Sequence, residues 1–207
     1  MTRDGSLVDT LTVILYELST ALLLPTLILL LAFMAVALFM LGGLAREWAE
    51  RLVSFGPWRS FLADLRRGDR DADRFRSLVL AGYPRRLQQA CRGVEHRPRL
   101  VAKCLEDVEL DVARRLGTLS FITRTGPMLG LVGTLVPLGP ALSALASGDM
   151  ASLSGNLVIA FTTTVFGIIV GSIAFGTGIV RRGWYEQDVS DLEFVAAALA
   201  GPEPEAA

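Results

Sequence analysis

"IAFTTTVFGIIVGSIAFGTGIV", residues 159–180, contains no side chain that carries a charge at neutral pH. About 20 apolar residues in a helix cross the hydrocarbon core of a bilayer, so this stretch reads as a transmembrane helix. It nevertheless opens with three consecutive hydroxyls, Thr162, Thr163 and Thr164, and has no acid, base or metal ligand beside them.

Two further runs have the same character. The first covers residues 18–44 and the second residues 121–145, while the third extends over residues 157–180. The chain of 207 residues is 52% hydrophobic, with a mean hydropathy of +0.47. These apolar residues are concentrated in the three runs, so the fold class expected is an all-α integral membrane protein with three transmembrane helices. The first run is longer than the roughly 7–15 residues of a signal-peptide core and no small-x-small cleavage site follows it. It is expected to remain as an anchor, and Pro25 sits near its start, where a missing N–H matters least.

Charge is distributed unevenly. Of 20 basic residues, 16 lie in segment 45–117, and 11 acids are interleaved with them. Segment 1–17 carries only Arg3 against Asp4, Asp9 and Glu17, and the link 146–156 has no basic residue. Positive-inside bias then places the N-terminus outside and the C-terminus in the cytoplasm. The expected organisation is an external segment 1–17, a span 18–44, a cytoplasmic helical region 45–120, a span 121–145, an external link 146–156, a span 157–180 and a cytoplasmic helix and tail 181–207. The mixed signs in segment 45–117 suit a solvated, salt-bridged helical surface rather than the like-sign patch that nucleic acid requires. Cys91, Cys104 and the single histidine, His96, are too few for a metal site, and a disulfide does not suit a reducing compartment. No nucleophile–base pair argues for an enzyme, and no cofactor is expected.

The cytoplasmic helix that continues the first span is expected to break near Gly56-Pro57 and again near Gly68-Asp69. Two short helices follow, punctuated at Gly82-Tyr83-Pro84 and Arg97-Pro98. Beyond Arg99, the apolar positions Leu105, Val108, Val112 and Leu116 are spaced for a helix that runs unbroken into the second span. The third span likewise continues into the cytoplasm, where Trp184, Val189, Leu192 and Val195 can face a helical partner. Trp184 and Tyr185 are expected at the membrane interface.

Both later spans carry stripes of small residues. Ala160, Thr164, Gly167, Gly171, Ala174 and Gly178 lie on one face of the third, opposite Phe161, Val165, Ile168, Ile169, Phe175 and Ile179. Gly126, Gly130, Gly133, Pro137 and Ala141 form a stripe on the second, with Thr134 beside it. Small residues let helix backbones approach closely in lipid. Pro127, Pro137 and Pro140 are expected to bend the second span and free carbonyls. The ordinary reading of a lone membrane threonine is a bond from its hydroxyl to a carbonyl of its own helix.

"TGPMLGLVGT", residues 125–134, resembles the T-A-P-x-x-G-L-x-G-T signature of the MotA/TolQ/ExbB proton-channel family, and "TVFG", residues 164–167, resembles the T-A-I-G of its next span. The three-span layout resembles it too. The resemblance implies a homo-oligomer, a pentamer, around two copies of a one-span partner whose intramembrane Asp carries the ion. It makes Thr134 and Thr164 pore-lining threonines, with Thr163 placed beside them. Pro127, Gly130, Gly133 and Gly167 match packing and bending positions, a role that Pro137 and Gly171 share from the stripes. TolQ- and ExbB-like members carry a Glu five residues before the second threonine, where this chain has Ile159. No ionisable group is therefore supplied by the third span, and the threonines would solvate a carboxylate arriving on another chain. Arg124 is expected at the inner mouth, either as an electrostatic gate or snorkelling toward phosphates. The function implied is an ion-conducting stator subunit in the cell membrane, coupling proton- or sodium-motive force to work. The alternative is a non-conducting membrane scaffold whose cytoplasmic helices bind a partner.

Overall fold

The computed structural model describes residues 21–67, 82–90 and 98–200, with single positions at 14, 17, 75, 77, 78 and 80. Among the described residues there is no strand. The described residues include four helices: α1 (Leu23–Arg66), α2 (Gly82–Ala90), α3 (Pro98–Ser147) and α4 (Met150–Ala200). Helices α1, α3 and α4 are each long and apolar enough to cross a membrane, so the protein is an all-α, multi-pass membrane protein. Cys91, His96, Gly68 and Asp69 lie outside the described residues.

The break expected at Gly56-Pro57 does not occur. Helix α1 runs through Pro57 to Arg66. The carbonyl that Pro57 leaves without an N–H belongs to Val53, itself 78% exposed, so solvent can satisfy it. The turns that follow are held by burial of Trp58, Phe61, Leu62 and Leu65. The Gly82-Tyr83-Pro84 punctuation opens α2: Gly82 takes φ +64°, and Pro84 falls in the first turn, where its ring is tolerated.

Helices α3 and α4 are joined by Gly148 and Asp149 alone, so most of the expected link 146–156 is helical. The turn is a Schellman motif, with Asp149 N–H donating to the Ala144 carbonyl at 2.9 Å and Gly148 N–H to the Leu145 carbonyl at 3.2 Å. Gly148 supplies the left-handed conformation at φ +76°. Asp149 then caps α4 by accepting from the Ser152 N–H at 3.0 Å and the Ser152 hydroxyl at 2.5 Å. The Ser152 bonds hold the Asp149 carboxyl below its ordinary value.

The chain divides into two compact units, one from the described parts of Met1–Met40 and Leu119–Gly176, the other from those of Leu41–Thr118 and Thr177–Ala207. The second unit has an aromatic and aliphatic core in which Phe61, Phe75, Leu87, Leu192 and Val195 are almost completely buried. Val108 and Val112 join it, flanked by Leu105 and Leu116, as their spacing requires. Tyr185 is not an exposed aromatic: it is fully buried and meets the Tyr83 ring edge-on at 4.8 Å. Its hydroxyl donates to Glu47 Oε2 at 3.2 Å, which also accepts from Arg181 Nε at 3.1 Å.

A part-buried two-pronged ion pair joins the same core. Arg51 Nη1 donates to Asp188 Oδ1 at 3.0 Å and Nη2 donates to Oδ2. Burial pushes the Asp188 carboxyl above its ordinary value, and the Arg51 hydrogen bond and charge offset this only in part. Burial also pulls the Arg51 guanidinium down, but Asp188 outweighs it and the net shift is upward.

Candidate functional site at the seam of two helices

In the first unit the two small-residue stripes meet each other. A Cβ built on Gly167 would stand 2.7 Å from the Gly130 Cα, and one on Gly171 would stand 2.7 Å from the Pro127 ring. At Gly126 it would come within 3.1 Å of the Gly171 backbone nitrogen. Gly126, Gly130, Gly133, Pro137 and Ala141 are all buried, as are Ala160, Gly167, Gly171 and Ala174. The stripes thus close α3 onto α4 within one chain. Helix α3 stays helical through Pro127, Pro137 and Pro140. On the far side Ala37 of α1 packs with Ile122, Val170 and Ala174.

The threonines divide by position. Thr163 is 2% exposed, and its hydroxyl donates to the Ala160 carbonyl at 2.8 Å. It fills the notch left by Gly133, where a Cβ would come within 2.7 Å of it. Its hydroxyl is committed inside the chain. Thr164 is half-buried at the edge of the seam, with its hydroxyl 3.5 Å from the Gly130 carbonyl of α3. Thr134 is also half-buried, and its hydroxyl donates to the Leu131 carbonyl at 2.6 Å. Gly130 lies one turn before Thr134 on the same side of α3. Thr162, turned away from Thr164 by about 200°, is exposed.

Beyond Arg124 no ionisable side chain occurs in α3 up to Ser147 or in α4 up to Val180. Arg124 is exposed and shares a helix face with Leu131, Leu135 and Leu142, which are likewise exposed. It makes no ion pair among the described residues. The position of the absent Glu, Ile159, is half-buried, and Asn156 one turn away donates to the Ser152 carbonyl at 2.9 Å. Among the described residues no cluster of three metal-ligating side chains occurs.

A family model described as the MotA/TolQ/ExbB proton channel family matches residues 79–190, more than half of the chain. The chain belongs to this family. It is also similar to a biopolymer transport protein ExbB homologue of Methanothermobacter thermautotrophicus, at 29% identity over 86 residues. That alignment covers 41% of this chain and 31% of the relative, so the chain spans about a third of the length of the curated relative it matches. No solved structure matches.

The family match includes both helices of the seam. It also includes residues whose partners periodicity cannot reveal. Arg51 and Asp188 are 137 positions apart, and neither stands in a motif. The one available signal was an acid, Asp188, on an otherwise apolar helix side between Trp184 and Leu192.

Proposed function

We propose that this chain is the ion-conducting subunit of a stator-like complex in the cell membrane, with its N-terminus outside and its C-terminus in the cytoplasm. Five copies surround two copies of a single-span partner, whose intramembrane Asp carries the proton or sodium ion. The observation that carries this reading is the Thr164 hydroxyl, 3.5 Å from the Gly130 carbonyl at the edge of a seam that contains no charge of its own. A hydroxyl both donates and accepts a hydrogen bond, whereas a fixed acid in lipid is expensive. Such hydroxyls can solvate a carboxylate presented by the partner, and can change their hold on it as it takes up or releases a proton. The family membership and the resemblance of residues 125–134 and 164–167 to its motifs support the same assignment.

The test is ion uptake in vesicles that contain this protein and its partner, with flux normalised to assembled complex. Thr164→Val and Thr134→Val are expected to cut flux about tenfold or more, the scale of one hydrogen bond to a charged group. Thr164→Ser should retain much of it, because it restores the donor and acceptor. Thr163→Val and Thr162→Val should conduct as wild type does. Equal flux in Thr164→Val, Thr134→Val and wild type would make the threonines packing residues and favour a non-conducting scaffold.

A further inference from the structure

A polar cavity of about 580 Å³ lies within the unit formed by the described parts of Leu41–Thr118 and Thr177–Ala207. Five arginines line it: Arg46, Arg85, Arg86, Arg115 and Arg181. Their charge is only partly balanced. Arg46 pairs with Glu50 at 2.8 Å and Arg181 with Glu47 at 3.1 Å. Arg86 and Arg115 share the single carboxylate of Asp111, which Arg115 reaches at 3.2 Å. Arg85 is exposed and makes no ion pair among the described residues. Among the described residues, five guanidiniums therefore meet three carboxylates. The neighbouring Arg51–Asp188 pair is balanced within itself and leaves the excess unchanged.

The second observation is Tyr83, which also lines the cavity. Its side chain is 3% exposed, and its hydroxyl has no hydrogen-bond partner among the described residues. The guanidiniums of Arg86 and Arg115 stand 5.5 and 5.9 Å from its ring centroid. Burial pushes the Tyr83 hydroxyl well above its ordinary value, so it stays protonated and serves as a donor. A buried O–H without an acceptor, in a wall with surplus positive charge, calls for an anionic acceptor.

We propose that this cavity binds a phosphate-bearing anion, held by the Tyr83 hydroxyl and the arginine wall. Guanidiniums match phosphate oxygens in a planar, two-pronged geometry. The non-bridging oxygens of a phosphate group, each able to accept more than one hydrogen bond, can serve Tyr83 and two arginines at once. The anion has two sources, an anionic phospholipid headgroup or a free phosphate. Arg46 follows the first apolar run by two residues, and Arg181 directly follows the third. Headgroup phosphates lie at such helix ends, so the headgroup is the expected source.

The test uses the full chain in nanodiscs and reads thermal unfolding and ligand binding. Discs containing phosphatidylglycerol are compared with pure phosphatidylcholine discs, with and without inorganic phosphate. Stabilisation and binding of phosphatidylglycerol support the headgroup, and an equal response to inorganic phosphate in phosphatidylcholine discs supports the free anion. Tyr83→Phe and Arg85→Gln should each weaken binding about tenfold, the loss of one charged hydrogen bond. Without ligand, Tyr83→Phe should unfold at the wild-type temperature or higher, because it deletes an unsatisfied hydroxyl. Arg114→Gln, an exposed arginine outside the cavity, should bind as wild type does. No response to either anion would overturn the proposal. So would undiminished binding in both Tyr83→Phe and Arg85→Gln, or an equal loss in Arg114→Gln.

Discussion

A hydroxyl is tolerated in an apolar helix while it has an acceptor. Thr123 and Thr163 each bond a carbonyl of their own helix, at 2.9 and 2.8 Å. Thr164, by contrast, reaches across to the carbonyl of another helix at 3.5 Å. A hydroxyl held that loosely is free to turn toward a second acceptor, which is why Thr164 rather than Thr163 is assigned to the ion path. Thr177 is different again: it is 2% exposed, and its hydroxyl has no partner among the described residues. Replacing it with valine keeps the shape and removes an unsatisfied group. Thr177→Val is therefore expected to raise stability by about 1 kcal/mol, read as a higher unfolding temperature in detergent.

At the scale of the elements, the α3–α4 hairpin rests on contacts between backbones. Gly167→Ala would set a Cβ 2.7 Å from the Gly130 Cα. Backbone cannot swing aside as a flexible side chain can, so the helices must separate, at about 1–3 kcal/mol. A Cβ on Gly176 meets nothing within 4 Å, and Gly176→Ala should leave the unfolding temperature close to wild type. The stripe lies inside one chain, so Gly171→Leu should damage the fold of the monomer itself rather than only its assembly. Capping adds a pH dependence. The folded state lowers the Asp149 carboxyl below its unfolded value, so the cap's contribution is fully present above the unfolded value, near pH 3.8, and is lost as pH falls through the folded value. Asp149→Ala should lower the unfolding temperature at pH 7 and bring it closer to wild type in strong acid.

For the molecule as a whole, ion pairs and most of the exposed apolar helix surface belong to different units. The described ion pairs and the larger apolar core belong to the unit that contains Leu41–Thr118 and Thr177–Ala207. The other unit exposes large apolar side chains such as Phe39, Leu131, Leu142 and Phe161, as a membrane-embedded surface does. In the first of these, Asp188→Asn would leave the Arg51 guanidinium, 22% exposed, with only the more distant Glu47 carboxylate at 3.7 Å. The expected loss is about 3 kcal/mol. Combining Arg51→Met with Asp188→Leu removes both charges and should recover most of that loss in chemical unfolding. A double variant no more stable than Asp188→Asn would show that the pair supports the core by geometry that apolar side chains cannot replace.

Three apolar runs, their helical periodicity and the small-residue stripes were legible in the sequence, because each depends on residues within a few turns of one another. The motif at residues 125–134 was legible for the same reason, and it led to the family. What each stripe faces was not. Gly126, Gly130 and Gly133 display a packing surface, but only the closed hairpin shows that Gly167, Gly171 and Thr163 occupy it. That contact separates Thr163 from Thr164, two adjacent and chemically identical residues. Pro57 reads as a helix break by local rules and is overruled by burial of the turn that follows it. Tyr185 reads as an interfacial aromatic, and is drawn into the core because Glu47 accepts its hydroxyl there. The sequence alone determined which segments are helices and which of their faces are small or apolar, since backbone geometry repeats along the chain. The tertiary structure decided which buried polar groups find partners, since those partners stand more than a hundred residues away and only packing brings them within hydrogen-bond reach.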